Sequence, residues 1–103
     1  MLKSDDSLYV YILLCENGAY YTGYTTDLER RYQQHIDGTG RCKFTQSFKP
    51  VKIAQHWKIY GNKSTALKVE NFIKNLSKAE KERIISYPAD LEKLFLNTYI
   101  QNF

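Results

Sequence analysis

No stretch of this sequence stays apolar for long. The longest run, Leu8 to Cys15, is far short of the roughly 20 residues a membrane span needs, so no membrane segment is expected. No charged region followed by an apolar stretch marks the N-terminus as a secretion signal. Cysteine is scarce: Cys15 and Cys42 stand apart, without a C-x-x-C spacing, and are expected as reduced thiols of a cytoplasmic protein. A Gly-rich phosphate loop, a nucleophile elbow and a His/Cys cluster suited to zinc are all missing. So are internal repeats, low-complexity tracts and linkers. The 103 residues suit one domain with a modest core.

What is present is tyrosine and a mild excess of positive charge. Nine tyrosines occur in the chain, and 15 Lys+Arg face 11 Asp+Glu for a net charge of +4. A polyanion partner fits that balance without being required by it. Tyrosine can stack on bases or donate to phosphates, and it also fills small cores.

Past a frayed start over residues 1–6, SLYVYILLC reads as a buried strand and AYYTGYT as its return, joined at the turn signal Glu16-Asn17-Gly18. A helix follows, with Thr26 as N-cap and Glu29 completing a capping box. Leu28, Tyr32 and Ile36 form its inward stripe, and Asp37-Gly38-Thr39-Gly40 ends it. Residues 41–50, RCKFTQSFKP, read as a basic loop. VKIAQHWKIY alternates as a third strand with Val51, Ile53, Gln55, Trp57 and Ile59 inward, Gln55 being the imperfect member. A second helix begins near Ser64 and buries Ala66, Val69, Ile73 and Leu76. Ser77 with Glu80 opens a third as a capping box. Tyr87-Pro88 breaks it, and Pro88 suits N1 of a last helix carrying Leu91, Leu94, Phe95 and Tyr99. The expected fold is α/β of the α+β kind: a small, mainly antiparallel three-stranded sheet flanked by helices, in the order β-β-α-β-α-α-α.

Helical geometry separates the two adjacent arginines. Arg31 and His35 share one border of the apolar stripe, whereas Arg30, Gln33 and Gln34 point away from it. At the margin of the second helix Glu70 can pair with Lys74, face Arg31 or hold a divalent ion; a lone carboxylate suits Mg²⁺, which keeps its waters.

Tyr9-Val10-Tyr11, then Tyr21-Thr22-Gly23, then Arg31 and His35, then Glu70 on a later helix together resemble the GIY-YIG nuclease superfamily. The segments YVYIL, YYTGYTTDLERRYQQH, KFT, KPV, ALKVE and IKNLSKAEK resemble its small stand-alone bacterial UPF0213-type members. The likeness covers about residues 8–82 of a single domain spanning 1–103, with 87–103 as an extra C-terminal helix. It departs from the family pattern in reading Tyr-Val-Tyr and Tyr-Thr-Gly where the motifs have Gly-Ile-Tyr and Tyr-Ile-Gly.

The resemblance implies a metal-dependent endonuclease hydrolysing phosphodiester bonds, on DNA ahead of RNA, in repair or recombination. Tyr11 and Tyr21 would transfer protons or position water. Arg31 would bind the scissile phosphate, and His35 would assist proton transfer or bind phosphate. Glu70 would be the protein's ligand to one Mg²⁺ or Mn²⁺ ion, and Gly23 would let the backbone bend beside the site. Tyrosine is an awkward base, since a pKa near 10 leaves little phenolate at neutral pH. The base therefore stays open between Tyr11, Tyr21 and a metal-bound hydroxide.

One requirement follows. Tyr11 and Tyr21 share a face of the hairpin only if the connection has an odd number of residues or a bulge, and an odd connection is expected.

The alternative is a nucleic-acid-binding module of the same fold without useful catalysis. Arg41, Lys43, Lys49 and Lys52, interleaved with Phe44 and Phe48, would then grip a strand by charge and stacking. The 103 residues leave no room for a second binding domain, so either the protein is weakly selective or a protein partner supplies specificity.

Overall fold

The computed structural model describes residues 7–101, with side chains to residue 96. Residues 1–6 and the Tyr99 side chain, assigned above to a frayed start and an apolar helix face, lie outside the described residues. Strands β1 (Leu8–Cys15), β2 (Tyr20–Thr25) and β3 (Pro50–Ile59) form one antiparallel sheet in the order β2-β1-β3. Helices α1 (Leu28–Asp37) and α2 (Lys43–Ser47) precede β3, and α3 (Lys63–Lys74), α4 (Lys78–Ser86) and α5 (Asp90–Gln101) follow it.

The hairpin connection is odd. Cys15 N–H donates to the Ala19 carbonyl at 2.9 Å, leaving Glu16, Asn17 and Gly18 as the loop. Gly18 takes φ +82°, a left-handed conformation that glycine adopts without steric cost. The resulting register sets Tyr11 opposite Gly23 and Leu13 opposite Tyr21, so Tyr11 and Tyr21 share a face.

Central strand β1 is buried on both sides. Leu8, Val10 and Ile12 pack with Ala66, Val69, Ile73, Ile84 and Leu91 of α3, α4 and α5. Each fully buried aliphatic side chain contributes about 1.5–3 kcal/mol. Tyr11, Leu13 and Cys15 face the other way, against Leu28, Tyr32, Phe44 and Ile53.

Several local expectations are corrected. The α1 cap is Asp27, whose side chain accepts from Arg30 N–H, and not Thr26. Ile36 is exposed, and the neighbouring His35 is buried in its place. Residues 43–47 coil into one helical turn instead of a loop. Helix α3 starts next to the expected Ser64, at Lys63, and Asn62 caps it. Pro88 lies in the turn before α5 and is not its first residue.

In β3 the single inward set fails because the register against β1 shifts twice, between Ile12 and Leu13 and between Leu14 and Cys15. Each such bulge turns the following side chains to the opposite face. Ile53 therefore joins Tyr11 and Leu13, Trp57 and Ile59 join the other core, and Val51 is exposed. Gln55 is explained: its amide donates to the Ile85 carbonyl at the end of α4, at 3.0 Å. The Ser77–Glu80 capping box is present as expected.

Candidate active site

Tyr11 leaves the middle of β1 on the face covered by α1 and α2. Its ring crosses Gly23 on the edge strand, where an added Cβ would lie 2.6 Å from the Tyr11 hydroxyl oxygen. Gly23 is required here for space. Its φ is not left-handed, so its lack of a side chain is needed for this close approach. The Tyr11 hydroxyl then meets His35 Nε2 at 2.8 Å, both residues being 1% exposed. Tyr21 completes the wall, with its ring centroid 5.2 Å from that of His35 and 6.5 Å from that of Tyr11.

Arg31 enters from α1 and is fixed. Its Nη1 donates to Gln34 Oε1 at 3.0 Å and to the Gly40 carbonyl at 3.1 Å. Both Nη1 hydrogens are thus committed, leaving Nε and Nη2 for other acceptors. A Cβ at Gly40 would overlap Arg31 Nη1, so this glycine too is set by close approach. The guanidinium also acts on the Tyr11 hydroxyl, favouring its ionised form. Beside it opens a cleft of about 130 Å³ lined by Thr25, Thr26, Asp27, Arg30, Arg31 and Gln34. The roomier groove, about 380 Å³, lies between Trp57, Ile59, Val69, Leu91 and Phe95 on the opposite face of the sheet. Of the candidate site residues, Arg31 lines the smaller cleft and none lines the larger groove.

Burial sets the proton affinities. It raises the Tyr11 phenol above its ordinary value, although the Arg31 hydrogen bond and charge pull the other way. Burial also raises Tyr21, reinforced by its hydrogen bond with the Cys42 thiol. Burial, then the charge of Arg31, lowers His35 to about 4. For Cys42 burial raises the thiol, but hydrogen bonds from Thr45 and Tyr21 outweigh it and leave the pKa below its ordinary value. In the free protein at neutral pH both tyrosines are phenols and His35 is neutral.

Glu70 comes from α3 on the other face of the sheet. It is 8% exposed and pairs with Lys74 at 3.3 Å. Its charge acts on Tyr11 and raises that phenol. Among the described residues no three His, Cys, Asp or Glu side chains gather into a metal-binding group. A single buried carboxylate nonetheless fits Mg²⁺, a hard cation that takes one or two carboxylates and completes its shell with water and substrate phosphate.

The four cationic residues expected to grip a strand lie outside this cluster. Arg41, Lys43, Lys49 and Lys52 are all exposed. Lys49 is partly committed, its Nζ donating to the Ile36 carbonyl at 3.0 Å. Arg41 has φ +60°, uncommon outside glycine. Phe44 tucks inward and stacks on Tyr21 at 6.0 Å, and Phe48 packs on Phe44 at 5.3 Å with its outer side exposed.

Three residues of the cluster are not marked by the sequence pattern. Helical geometry sets Gln34 away from the working edge, yet its side chain reaches along the helix to Arg31. Gly40 looks like no more than part of a helix stop. Thr45, 1% exposed, holds His35 Nδ1 at 2.8 Å from a short segment where no periodicity marks an inward side chain.

Comparison with known proteins places these elements in a family. Residues 7–83 match the model of the GIY-YIG catalytic domain. A UPF0213 protein of Halalkalibacterium halodurans is 41% identical over 78 residues, 76% of this chain and 81% of that one. A UPF0213 protein of Natronomonas pharaonis is 44% identical over 78 residues, 76% of this chain and 89% of that one. A protein of E. faecalis solved by solution NMR is 32% identical, with a TM-score of 0.55, covering 84% of this chain and 90% of that one.

Proposed function

The chain belongs to the GIY-YIG family, among its small UPF0213 members, and from that premise we propose that it is a divalent-metal-dependent endonuclease acting on nucleic acid. The observation that carries the proposal is the cluster in which Tyr11 and Tyr21 from two strands meet His35 of α1, with the charge of Arg31 acting on all three.

In this reading the scissile phosphate docks on the free edge of Arg31. The planar guanidinium matches two phosphate oxygens and stabilises the charge that gathers in the transition state. Gln34 and Gly40 hold it in place beforehand, so little ordering is left for the moment of reaction. Tyr11 receives the proton of the attacking water on its oxygen while its own proton passes to His35 Nε2. The base is therefore the pair and not either residue alone.

With Tyr11 raised above its ordinary value and His35 lowered to about 4, the proton rests on the phenol in the free protein. A phosphate that neutralises Arg31 removes one of the two causes depressing His35 and narrows that gap. Glu70 would hold the cation, exchanging Lys74 for it. Bound there, Mg²⁺ or Mn²⁺ would polarise the phosphate and lower the pKa of a coordinated water. Tyr21, with its raised pKa, stays protonated and serves as a hydrogen-bond donor.

DNA is the substrate we take first, with repair or recombination as the setting. The test is cleavage of single-stranded, duplex and branched DNA with Mg²⁺ or Mn²⁺, run beside Glu70→Ala and Arg31→Ala. Metal-dependent cleavage that Glu70→Ala abolishes and Arg31→Ala slows by orders of magnitude is expected; equal activity in all three proteins removes the proposal. A binding module without catalysis is the reading that the tie of Glu70 to Lys74 favours, and binding without cleavage under either metal would select it.

A further inference from the structure

The hydrogen bonds of His35 continue past the site. Its Nδ1 lies 2.8 Å from Thr45 Oγ1, and Thr45 Oγ1 lies 3.3 Å from the Cys42 carbonyl. The chain of contacts therefore runs Tyr11, His35, Thr45, Cys42. Its carbonyl end has a fixed role, because a carbonyl can only accept. The buried Tyr11 proton needs an acceptor, and His35 Nε2 is the group 2.8 Å away. At the other end the Thr45 hydroxyl gives its one proton to Cys42, so its oxygen must accept from His35 Nδ1.

We propose that Thr45 is a positioning residue that locks His35 in the neutral Nδ1–H tautomer and so keeps Nε2 open to the Tyr11 proton. The opposite tautomer would set Nε2–H against the Tyr11 oxygen and leave the phenol proton buried without an acceptor, at a cost of about 1–3 kcal/mol. Thr45 is suited to the task by its place: α2 is a single turn, Cys42 caps it, and the threonine side chain projects from that turn onto the α1 histidine. The low pKa of His35 agrees, because the ring stays neutral and a tautomer is well defined at pH 7. The consequence for cleavage rests on the nuclease reading; the tautomer itself does not.

Two-bond ¹H–¹⁵N correlation spectra of the full ¹⁵N-labelled chain at pH 7 read the tautomer directly. The chain has two histidines, so His56→Gln assigns the signals. The wild type and Thr45→Ser should show His35 protonated at Nδ1. Thr45→Val should shift population towards Nε2–H, and its cleavage rate should fall roughly 100-fold, the low end of what a positioned proton acceptor contributes, with Thr45→Ser recovering most of it. Nε2–H in the wild type overturns the proposal, as does a Thr45→Val spectrum identical to wild type. Should Thr45→Val fail to fold, the wild-type and Thr45→Ser spectra still decide. A chain that cleaves nothing defeats the nuclease reading, while the spectra continue to judge the tautomer.

Discussion

The two faces of β1 use the same backbone for different ends. One carries Leu8, Val10 and Ile12 into an aliphatic core closed by α3, α4 and α5. The other carries Tyr11 into a network of hydrogen bonds closed by α1 and α2. Two buried threonines sharpen the contrast. Thr45, on the network side, links the His35 ring to the Cys42 carbonyl. Thr22, which pairs with Ile12 and points to the aliphatic side, is the buried side chain left without a hydrogen-bond partner among the described residues. It stands where the family motif has isoleucine. Alternation along one strand thus lets a small domain keep a dry core and a polar site a single peptide apart, and a hydroxyl is useful on only one of the two sides.

The contrast can be broken from either face. On the core side Ile73→Ala leaves a cavity among fully buried neighbours and should cost about 2–5 kcal/mol in a urea titration. Its cleavage rate per folded molecule should stay near wild type. On the site side Arg31→Ala should do the reverse. Its rate should fall about 10²–10³-fold, the usual loss on removing a preorganised donor to developing charge.

Acid separates the faces next. His35 titrates at about 4 when folded against about 6.5 unfolded, so below pH 6.5 the unfolded chain binds a proton that the native one refuses. That contribution is fully present above the unfolded pKa and is lost as pH falls towards 4. It amounts to about 3 kcal/mol, at 1.36 kcal/mol per unit. Urea midpoints measured from pH 7 to 4 should fall in wild type and fall less in His35→Asn. The smallest effect comes from Thr22→Val, which removes an unsatisfied hydroxyl without changing shape and should leave stability unchanged or raise it by about 1 kcal/mol. A loss of more than that would mean the hydroxyl has a function on the core side as well.

The same contrast explains what is legible in the sequence. Face assignments in β1 and β2 follow from strict alternation once the turn is odd, which is why the sequence alone can set Tyr11 and Tyr21 together. Ser77 and Glu80 carry their cap in their spacing. The aliphatic stripe of α3 is readable for the same reason. Strand β3 is not, because two bulges against β1 reverse its faces and a bulge leaves no periodic trace. Hydropathy cannot decide between positions 35 and 36 in α1. Ile36 is the more apolar residue, but partners on β1 and α2, distant in sequence, draw His35 inward. Thr45 is hidden for a related reason: its role is defined by His35, ten residues earlier, and not by its own neighbours.

Tyr11→Phe tests the central claim most directly. It removes one oxygen from the point where β1, α1 and α2 meet and leaves the ring packed across Gly23. Single-turnover cleavage of duplex DNA with Mg²⁺ should slow by roughly 100-fold or more in a protein that still unfolds cooperatively. A Tyr11→Phe protein that cleaves at the wild-type rate would contradict the account.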